Sequence, residues 1–407
     1  MNERQIAYQI IYEVVYQNQY ANLMLRKRLN FFSSDEKKLI TQIVYGTISN
    51  YDFLQYQYQN LVDNKLSNKV KTILNMSIYQ MFFLDKVPDY AIINDAVEIS
   101  KSINKGFYSK VVNAVLRSVQ SQGLIDSDDL SIKYSFSPFI VKMLIKQYDL
   151  QTAQDILVAS NLQSKVALRY NSLSNGSFDE NDFIKGTLAK NCYYYKGNIF
   201  QTNYLSEGVF TIQDEASQLV SEFMDPLPTD RILDMCSAPG TKTSHLSQLM
   251  NNEGEIIALE LHEHRCVLIE ETIDRLHLNN VVVLQMDSTK SKNEFQANSF
   301  DKILLDAPCS GLGVLKRKPE IKLHITPSSL DEIVLLQKDL LDNAAVLLKN
   351  DGILVYSTCT INKKENDKQI SRFLANYPNF ILIEDRLVLP SKDNDGFYMA
   401  KLKKVSE

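Results

Sequence analysis

Two cysteines fifty residues apart, Cys309 in Asp306-Ala307-Pro308-Cys309-Ser310-Gly311 and Cys359 in Ser357-Thr358-Cys359-Thr360, are the residues of this chain best placed to do covalent chemistry. Each follows an apolar, partly β-branched run, Ile303 to Leu305 and Ile353 to Tyr356. That pattern puts each thiol at the carboxyl end of a buried strand. Open α/β sheets bind ligands at that end. A thiolate there can add to an electron-poor ring, and a second thiol can share the later elimination. An ordinary buried cysteine is only a small inert hydrophobe. Cys192 and Cys266 read that way, whereas Cys309 and Cys359 stand beside turn residues inside longer polar motifs.

A second pattern lies upstream. Arg231 to Met235 reads as a buried strand that runs through Cys236-Ser237-Ala238-Pro239-Gly240-Thr241-Lys242-Thr243 into a helical stretch from Ser244 to Met250. Strand, tight glycine turn and helix amino terminus together present backbone N–H groups to a ligand. A phosphate loop of the Walker A type needs glycines where this chain has Cys236 and Thr241, and G-x-G-x-x-G is also absent. What remains is a loop of the methyltransferase type. Glu260, at the end of the next strand, is suitably placed to accept ribose hydroxyls.

Taken in order, these motifs make the chain resemble the bacterial 16S rRNA cytosine-C5 methyltransferases of the Fmu/Sun (RsmB) type, which carry an N-terminal domain like the antiterminator NusB. The resemblance spans nearly the whole chain. It includes Asn113 to Arg117, Gln213 to Ser217, the loop from Cys236, both cysteine motifs and Gly396 to Ala400. It implies S-adenosylmethionine as cofactor, wrapped by Cys236, Ser237, Ala238, Pro239, Gly240, Thr241 and Lys242, with Glu260 on the ribose, Asp287 near the adenine and Asp306 at the pocket edge. It also implies Cys359 as the nucleophile toward C6, Cys309 as the thiol that assists product release, and Asp306 as the contact to cytosine. The residues alone leave the thiol roles open, because DNA cytosine methylases attack with the Pro-Cys thiol. Thr241 stands where the family has a second Gly, Ser237 where it has Ala, and Glu260 where Asp is commoner.

The composition fits that picture. With 407 residues the chain is expected to form two or three domains, and 44% hydrophobic with 23% charged residues is ordinary for a globular protein. No apolar run approaches a membrane span, the N-terminus lacks signal-peptide character, and five cysteines without a C-x-x-C pair favour neither zinc nor a disulfide framework. A cytoplasmic, metal-free monomer is expected. The net charge of −5 argues against an RNA partner until its distribution is considered: residues 1–117 carry 14 Lys plus Arg against 10 Asp plus Glu. Arg26-Lys27-Arg28 is one local basic cluster. Lys316, Arg317, Lys318 and Lys322 follow the Pro-Cys motif closely and are candidate contacts to 16S rRNA phosphates. The rival readings are a tRNA substrate, or a non-catalytic RNA-binding assembly or antitermination factor.

The elements that must position these groups are legible from periodicity. Helical spacing recurs from Ile6 to Val15, from Leu39 to Val44 behind a capping box at Ser33 and Glu36, from Val70 to Ile78, and in a last apolar stripe, Phe107 to Leu116. A helical bundle over 1–124 follows. The polar stretch 120–129 reads as a linker, and a helix from Pro138 to about Ser160 is expected to go with the catalytic half. Between 125 and 210 a small α+β module is expected, with a strand near 166–171, a helix at 181–189 and an aromatic strand at 192–195. Tyr193, Tyr194, Tyr195 and Phe200 are candidates for base stacking. From residue 211 on, strands at 231–235, 255–260, 281–285, 301–306, 353–357, 379–384 and 396–401 alternate with helices. This predicts an α/β fold, a Rossmann-like seven-stranded methyltransferase sheet over 211–407.

Overall fold

A computed structural model describes residues 2–62, 66–85, 87–103 and 106–406. The chain divides into two compact units: Met1–Leu162 with Leu315–Ile325, and Gln163–Val314 with Thr326–Glu407.

The first unit is helical. Its helices are Glu3–Tyr16, Ala21–Arg28, Ser34–Ser49, Tyr51–Tyr56, Asn68–Phe83, Asp89–Lys101 and Ser109–Gln122, followed by Leu130–Lys133, Pro138–Gln147 and Leu150–Ser160. The capping box read at Ser33 is present, with Glu36 N–H donating to Ser33 Oγ and Ser33 N–H to Glu36 Oε2. It satisfies two donors that the first turn leaves free, and removing such a cap costs about 1 kcal/mol. The apolar stripes close on one core through Ile10, Ile11, Ile40, Ile43, Val44, Ile73 and Leu116. Of the last stripe, Val112, Val115 and Leu116 are buried, while Phe107 is exposed.

The helix Pro138–Gln147 belongs to this unit, which corrects its expected place with the catalytic half. Ser135 Oγ accepts from Phe53 N–H at 2.9 Å, and Gln57 bridges to the backbone of Ile125 in both directions, through Nε2 at 3.0 Å and Oε1 at 2.7 Å. The polar linker is therefore bonded to the bundle.

The second unit holds two sheets. The smaller has strands β1 (Leu168–Tyr170), β2 (Phe183–Lys185), β3 (Cys192–Tyr195) and β4 (Phe210–Ile212) in the order β2-β3-β1-β4, all antiparallel. The helix expected at 181–189 is absent; a single 3-10 turn at Glu180–Asp182, capped by Asp179, leads into β2. Phe183 is drawn into an aromatic cluster instead, with its ring 4.9 Å from Phe210 and 5.1 Å from Phe178. Tyr193 and Tyr195 pack against the same ring. Core packing thus takes two of the four aromatics offered for base stacking, and Tyr194 donates its hydroxyl to Glu215, while Phe200 is exposed.

The larger sheet has seven strands, β5 (Arg231–Asp234), β6 (Glu255–Glu260), β7 (Val281–Gln285), β8 (Phe300–Asp306), β9 (Leu348–Thr358), β10 (Phe380–Val388) and β11 (Phe397–Lys404), ordered β10-β11-β9-β8-β5-β6-β7. The pairings from β9 to β7 are parallel, and β11 runs antiparallel to both neighbours. Strands buried on both faces read as unbroken apolar runs, as in Ile303-Leu304-Leu305, which are fully buried. The chain order reverses at β5, between β6 on one side and β8 on the other. Ligands of such sheets bind in the crevice beyond the strand carboxyl ends at that reversal.

Candidate active site

The carboxyl ends of β5, β8 and β9 carry the residues singled out by the sequence. After β5 the loop is pinned to β6, because Ser237 donates both its N–H at 3.0 Å and its hydroxyl at 2.8 Å to the Leu259 carbonyl. The turn closes through Gly240 N–H on the Ser237 carbonyl at 2.7 Å. Gly240 has φ +91°, a region that costs other residues strain, and a Cβ there would lie 3.2 Å from the Cα of Ile269. The loop then enters the helix Thr241–Leu249, which has Gly240 as its N-cap and no side-chain cap on its first N–H groups.

Charge is placed with equal care. The Lys242 ammonium donates to Asp306 Oδ2 at 2.7 Å and lies 5.1 Å from the Phe397 ring centre. Burial alone would lower the Lys242 pKa, but the Asp306 carboxylate outweighs it and the net shift is upward. Ser357 Oγ donates to the other oxygen of Asp306 at 2.8 Å, so a β9 hydroxyl and a β5-loop cation hold one β8 carboxylate. Asp234 is fully buried; Thr243 donates to its Oδ2 at 2.7 Å, and its Oδ1 has no hydrogen-bond partner among the described residues. Burial pushes its pKa up to about 7.

Glu260 is buried at the end of β6, where it accepts from His262 N–H at 3.0 Å and pairs with Arg265 at 3.3 Å. Arg265 also reaches the Ala238 carbonyl, which ties Glu260 to the β5 loop. Asp287 caps the turn after β7, accepting from the Thr289 hydroxyl at 2.7 Å and from Thr289 N–H at 3.0 Å, and the hydroxyl bond above all lowers its pKa. The Cys236 thiol is pushed well up by burial, which disfavours its thiolate.

The two thiols meet. Cys309 Sγ and Cys359 Sγ are 3.2 Å apart, on loops leaving the adjacent parallel strands β8 and β9. The ladder runs one step past the strand, with Ala307 N–H on the Ser357 carbonyl at 2.8 Å, and the loop after Cys309 returns to place Gly313 N–H on the Cys359 carbonyl at 3.0 Å. Hydrogen bonding to Cys359, with burial, raises the Cys309 pKa well above the usual thiol value.

Sequence reasoning missed three residues that hold this site. Arg169 on β1 is fully buried and donates to the Gln213 side chain, the Thr241 carbonyl and Ser244 Oγ, gripping the first turn of the helix Thr241–Leu249. Burial lowers its pKa to about 9. Glu365 and Gln337, also buried, bond to the Pro308–Ser310 loop. Lone polar residues carry no periodicity, and the only local hint was the dense polar run Asn362 to Asn366.

The basic candidates after the Pro-Cys motif fall elsewhere. They lie in Leu315–Ile325, which packs within the helical unit. Lys322 is corrected as an RNA contact: it is buried, and its ammonium donates to the Ser49 carbonyl at 2.6 Å, the Tyr134 carbonyl at 3.1 Å and Asn161 Oδ1 at 2.9 Å. Leu323 packs on the helical core and Glu320 Oε1 accepts from Ala21 N–H, so the segment is drawn in by tertiary packing. Lys316 is largely buried, Arg317 half-buried and Lys318 exposed. Arg28 of the other cluster pairs with Glu13 at 2.6 Å.

Among the described residues no group of three or more His, Cys, Asp or Glu is arranged to hold a metal ion, and no helix is long and apolar enough to cross a membrane.

Comparison with known proteins agrees with this geometry. The family described as 16S rRNA methyltransferase RsmB/F matches residues 221–403, and the NusB family matches residues 1–121. A probable ribosomal RNA small subunit methyltransferase B of Bacillus subtilis is 34% identical over 98% of both chains, and a ribosomal RNA small subunit methyltransferase B of Vibrio vulnificus is 31% identical over 90% of this chain and 91% of that one. Among solved structures, a methyltransferase homolog from Pyrococcus horikoshii is 27% identical, with a TM-score of 0.61 over 68% of this chain and 98% of that one. PH0851 overlays at a TM-score of 0.83 over 99% of both chains at 23% identity, which shows the fold alone. With a full-length relative above 30% identity and both of its expected regions matched, the chain belongs to the ribosomal RNA small subunit methyltransferase B family.

Proposed function

We propose that this chain methylates C5 of a cytosine in 16S rRNA, using S-adenosylmethionine and a covalent bond between Cys359 and C6. The observation that carries the reading is the 3.2 Å approach of the two thiols beside the Asp306–Lys242 pair, at the reversal point of the sheet.

The residues present fit the cofactor. Gly240 keeps the loop backbone bare of a side chain at its tightest turn, Asp234 Oδ1 is an unpartnered buried acceptor, and Glu260 ends β6 where a ribose would be met. When bound, S-adenosylmethionine supplies an electrophilic methyl group. Cys236 to Lys242 would hold it, with Glu260 toward the ribose and Asp287 toward the adenine, as the family resemblance implies.

The protein's own residues then activate the ring. C5 of cytosine is a weak nucleophile until a thiolate adds at C6 and electron density moves to C5. Cys359 is the thiolate in this reading, the role that the resemblance of its Ser357-Thr358-Cys359 motif implies. Asp306 meets the Watson–Crick edge near N3 and the amino group, where a carboxyl group distinguishes cytosine from uracil. After C5 has taken the methyl group, its proton passes to solvent, the C–H electron pair re-forms the C5–C6 double bond, and the sulfur–C6 bond breaks with its electrons on sulfur, returning the Cys359 thiolate. Cys309, 3.2 Å away, assists that release.

Bisulfite mapping of rRNA and tRNA from cells with and without the gene tests the reading. One 16S rRNA cytosine should lose its methyl mark in the deletion and regain it on complementation. Loss of a tRNA mark with rRNA unchanged would refute the substrate.

A further inference from the structure

Beneath the two thiols lies a carboxylate that the reaction scheme above does not use. Glu365 is fully buried and accepts four hydrogen bonds: Ser310 N–H at 2.8 Å and Gln337 Nε2 at 3.2 Å on Oε2, and Ser310 Oγ at 2.6 Å and Asn362 Nδ2 at 2.9 Å on Oε1. All four donors are neutral. A carboxylate out of water normally requires a cation or a full set of donors, and this one has the latter.

The donors come from both thiol loops. Ser310 is the residue after Cys309, and its hydroxyl also lies 2.7 Å from Thr360 Oγ1, next to Cys359. Asn362 lies in the loop after Cys359. Gln337, on the helix Pro327–Leu347, adds a bond to the Pro308 carbonyl at 2.9 Å, and the Tyr356 hydroxyl fixes the Glu365 carbonyl at 2.6 Å. One acceptor-only group therefore fastens the residue after one thiol to the loop after the other. Without it, the loops would be joined by the Ser310–Thr360 contact and the Gly313–Cys359 backbone bond.

We infer that Glu365 is a positioning residue that sets the separation of Cys309 and Cys359, and so the handover from addition at one thiol to release by the other. The role in handover rests on the proposed function; the role in thiol separation does not. Charge and acceptor capacity are what matter. In Glu365→Gln one oxygen becomes an amide NH2, which faces a fixed N–H donor whichever way the amide is turned, only the Ser310 hydroxyl being able to reverse toward Thr360, so at least one of the four bonds is lost at unchanged shape.

The first test needs neither RNA nor cofactor. Diamide takes two electrons and two protons from a pair of thiols, becoming the hydrazine and leaving a disulfide, so its rate of linking Cys309 to Cys359 reports their approach. Peptide mapping separates this link from any made by Cys192, Cys236 or Cys266. Wild type should form it readily, and Glu365→Gln should form it about tenfold more slowly or worse, since misplacement of reacting groups by 1 Å costs about 100-fold. Ser310→Ala, which removes one bond to Glu365 and the Thr360 contact, should fall between them. It also carries the test if circular dichroism shows Glu365→Gln unfolded. A wild type that fails to form the link, or variants within about twofold of wild type, would overturn the inference.

With RNA and labelled S-adenosylmethionine, Glu365→Gln should lower kcat and accumulate a denaturant-resistant, methyl-labelled protein–RNA adduct, while cofactor affinity stays at the wild-type value. A parallel loss of cofactor affinity would reduce Glu365 to general support and refute the handover role. If disulfide formation slows as expected but no variant, Cys309→Ala included, ever yields an adduct, the positioning role stands and the covalent mechanism falls.

Discussion

Lys242 and Lys322 are both buried, with 9% and 2% of their surface exposed, and they are held in opposite ways. Lys242 has a carboxylate 2.7 Å away, which outweighs burial and keeps the ammonium charged. Lys322 has carbonyl and amide oxygens and the Phe136 ring at 4.4 Å; burial dominates and brings its pKa down to about 7, with Asp52 only partly opposing. A full opposite charge at contact distance compensates lost hydration, and neutral acceptors do so only in part. The difference sorts their work. Lys242 is a fixed positive charge against Asp306 at the end of β8, whereas Lys322 straps Leu315–Ile325 into the helical unit.

The contrast can be broken at Asp306. Asp306→Asn removes the negative partner, so Lys242 should come to resemble Lys322, and methyl transfer should fall by at least ~100-fold, as for other lost electrostatic contacts to a transition state. The matching signature is faster labelling of Lys242 by an amine-reactive reagent at pH 8. Wild-type activity in the variant would remove Asp306 from the mechanism.

A smaller effect is expected at Gly240. Gly240→Ala places a side chain at φ +91° and 3.2 Å from Ile269, a strain on the order of 1–3 kcal/mol. S-adenosylmethionine affinity should weaken by about tenfold, with the Lys242–Asp306 pair intact. Calorimetry giving wild-type affinity would show that the loop backbone does not hold the cofactor.

The smallest effect is a slope. The folded-state pKa of Lys322 lies near 7, below the ordinary 10.5, so the unfolded chain binds more protons throughout that window. Stability therefore rises with pH between those values, and below pH 7 the burial penalty is present in full. From pH 7 to 9 the wild type should gain denaturant resistance relative to Lys322→Met, whatever the offset between them. Equal slopes would mean that Lys322 stays charged.

The same two lysines show how far the sequence could be read. Lys242 sat inside a strand-loop-helix pattern, and the strands from β5 to β11 follow apolar runs that local chemistry dictates. Both thiols could be set at strand ends from those runs. Lys322 looked like a surface charge because nothing local records that Leu323 and Glu320 draw its segment into a helical core. Phe183 failed for the same reason, since the aromatic cluster around Phe210 overrides the helical pattern at 181–189. Arg169 was invisible because all its partners are far away in sequence, and Glu365 left only a polar run as a hint because Ser310 and Gln337, which give it its role, are equally distant.

The central claim, that Cys359 attacks and Cys309 releases, is tested most directly by a denaturing gel with labelled S-adenosylmethionine and 16S rRNA. Cys309→Ala should trap a protein–RNA adduct carrying the transferred methyl group, and Cys359→Ala should give neither adduct nor methylated RNA. An adduct that forms with Cys359→Ala and vanishes with Cys309→Ala would contradict the account and reverse the two roles.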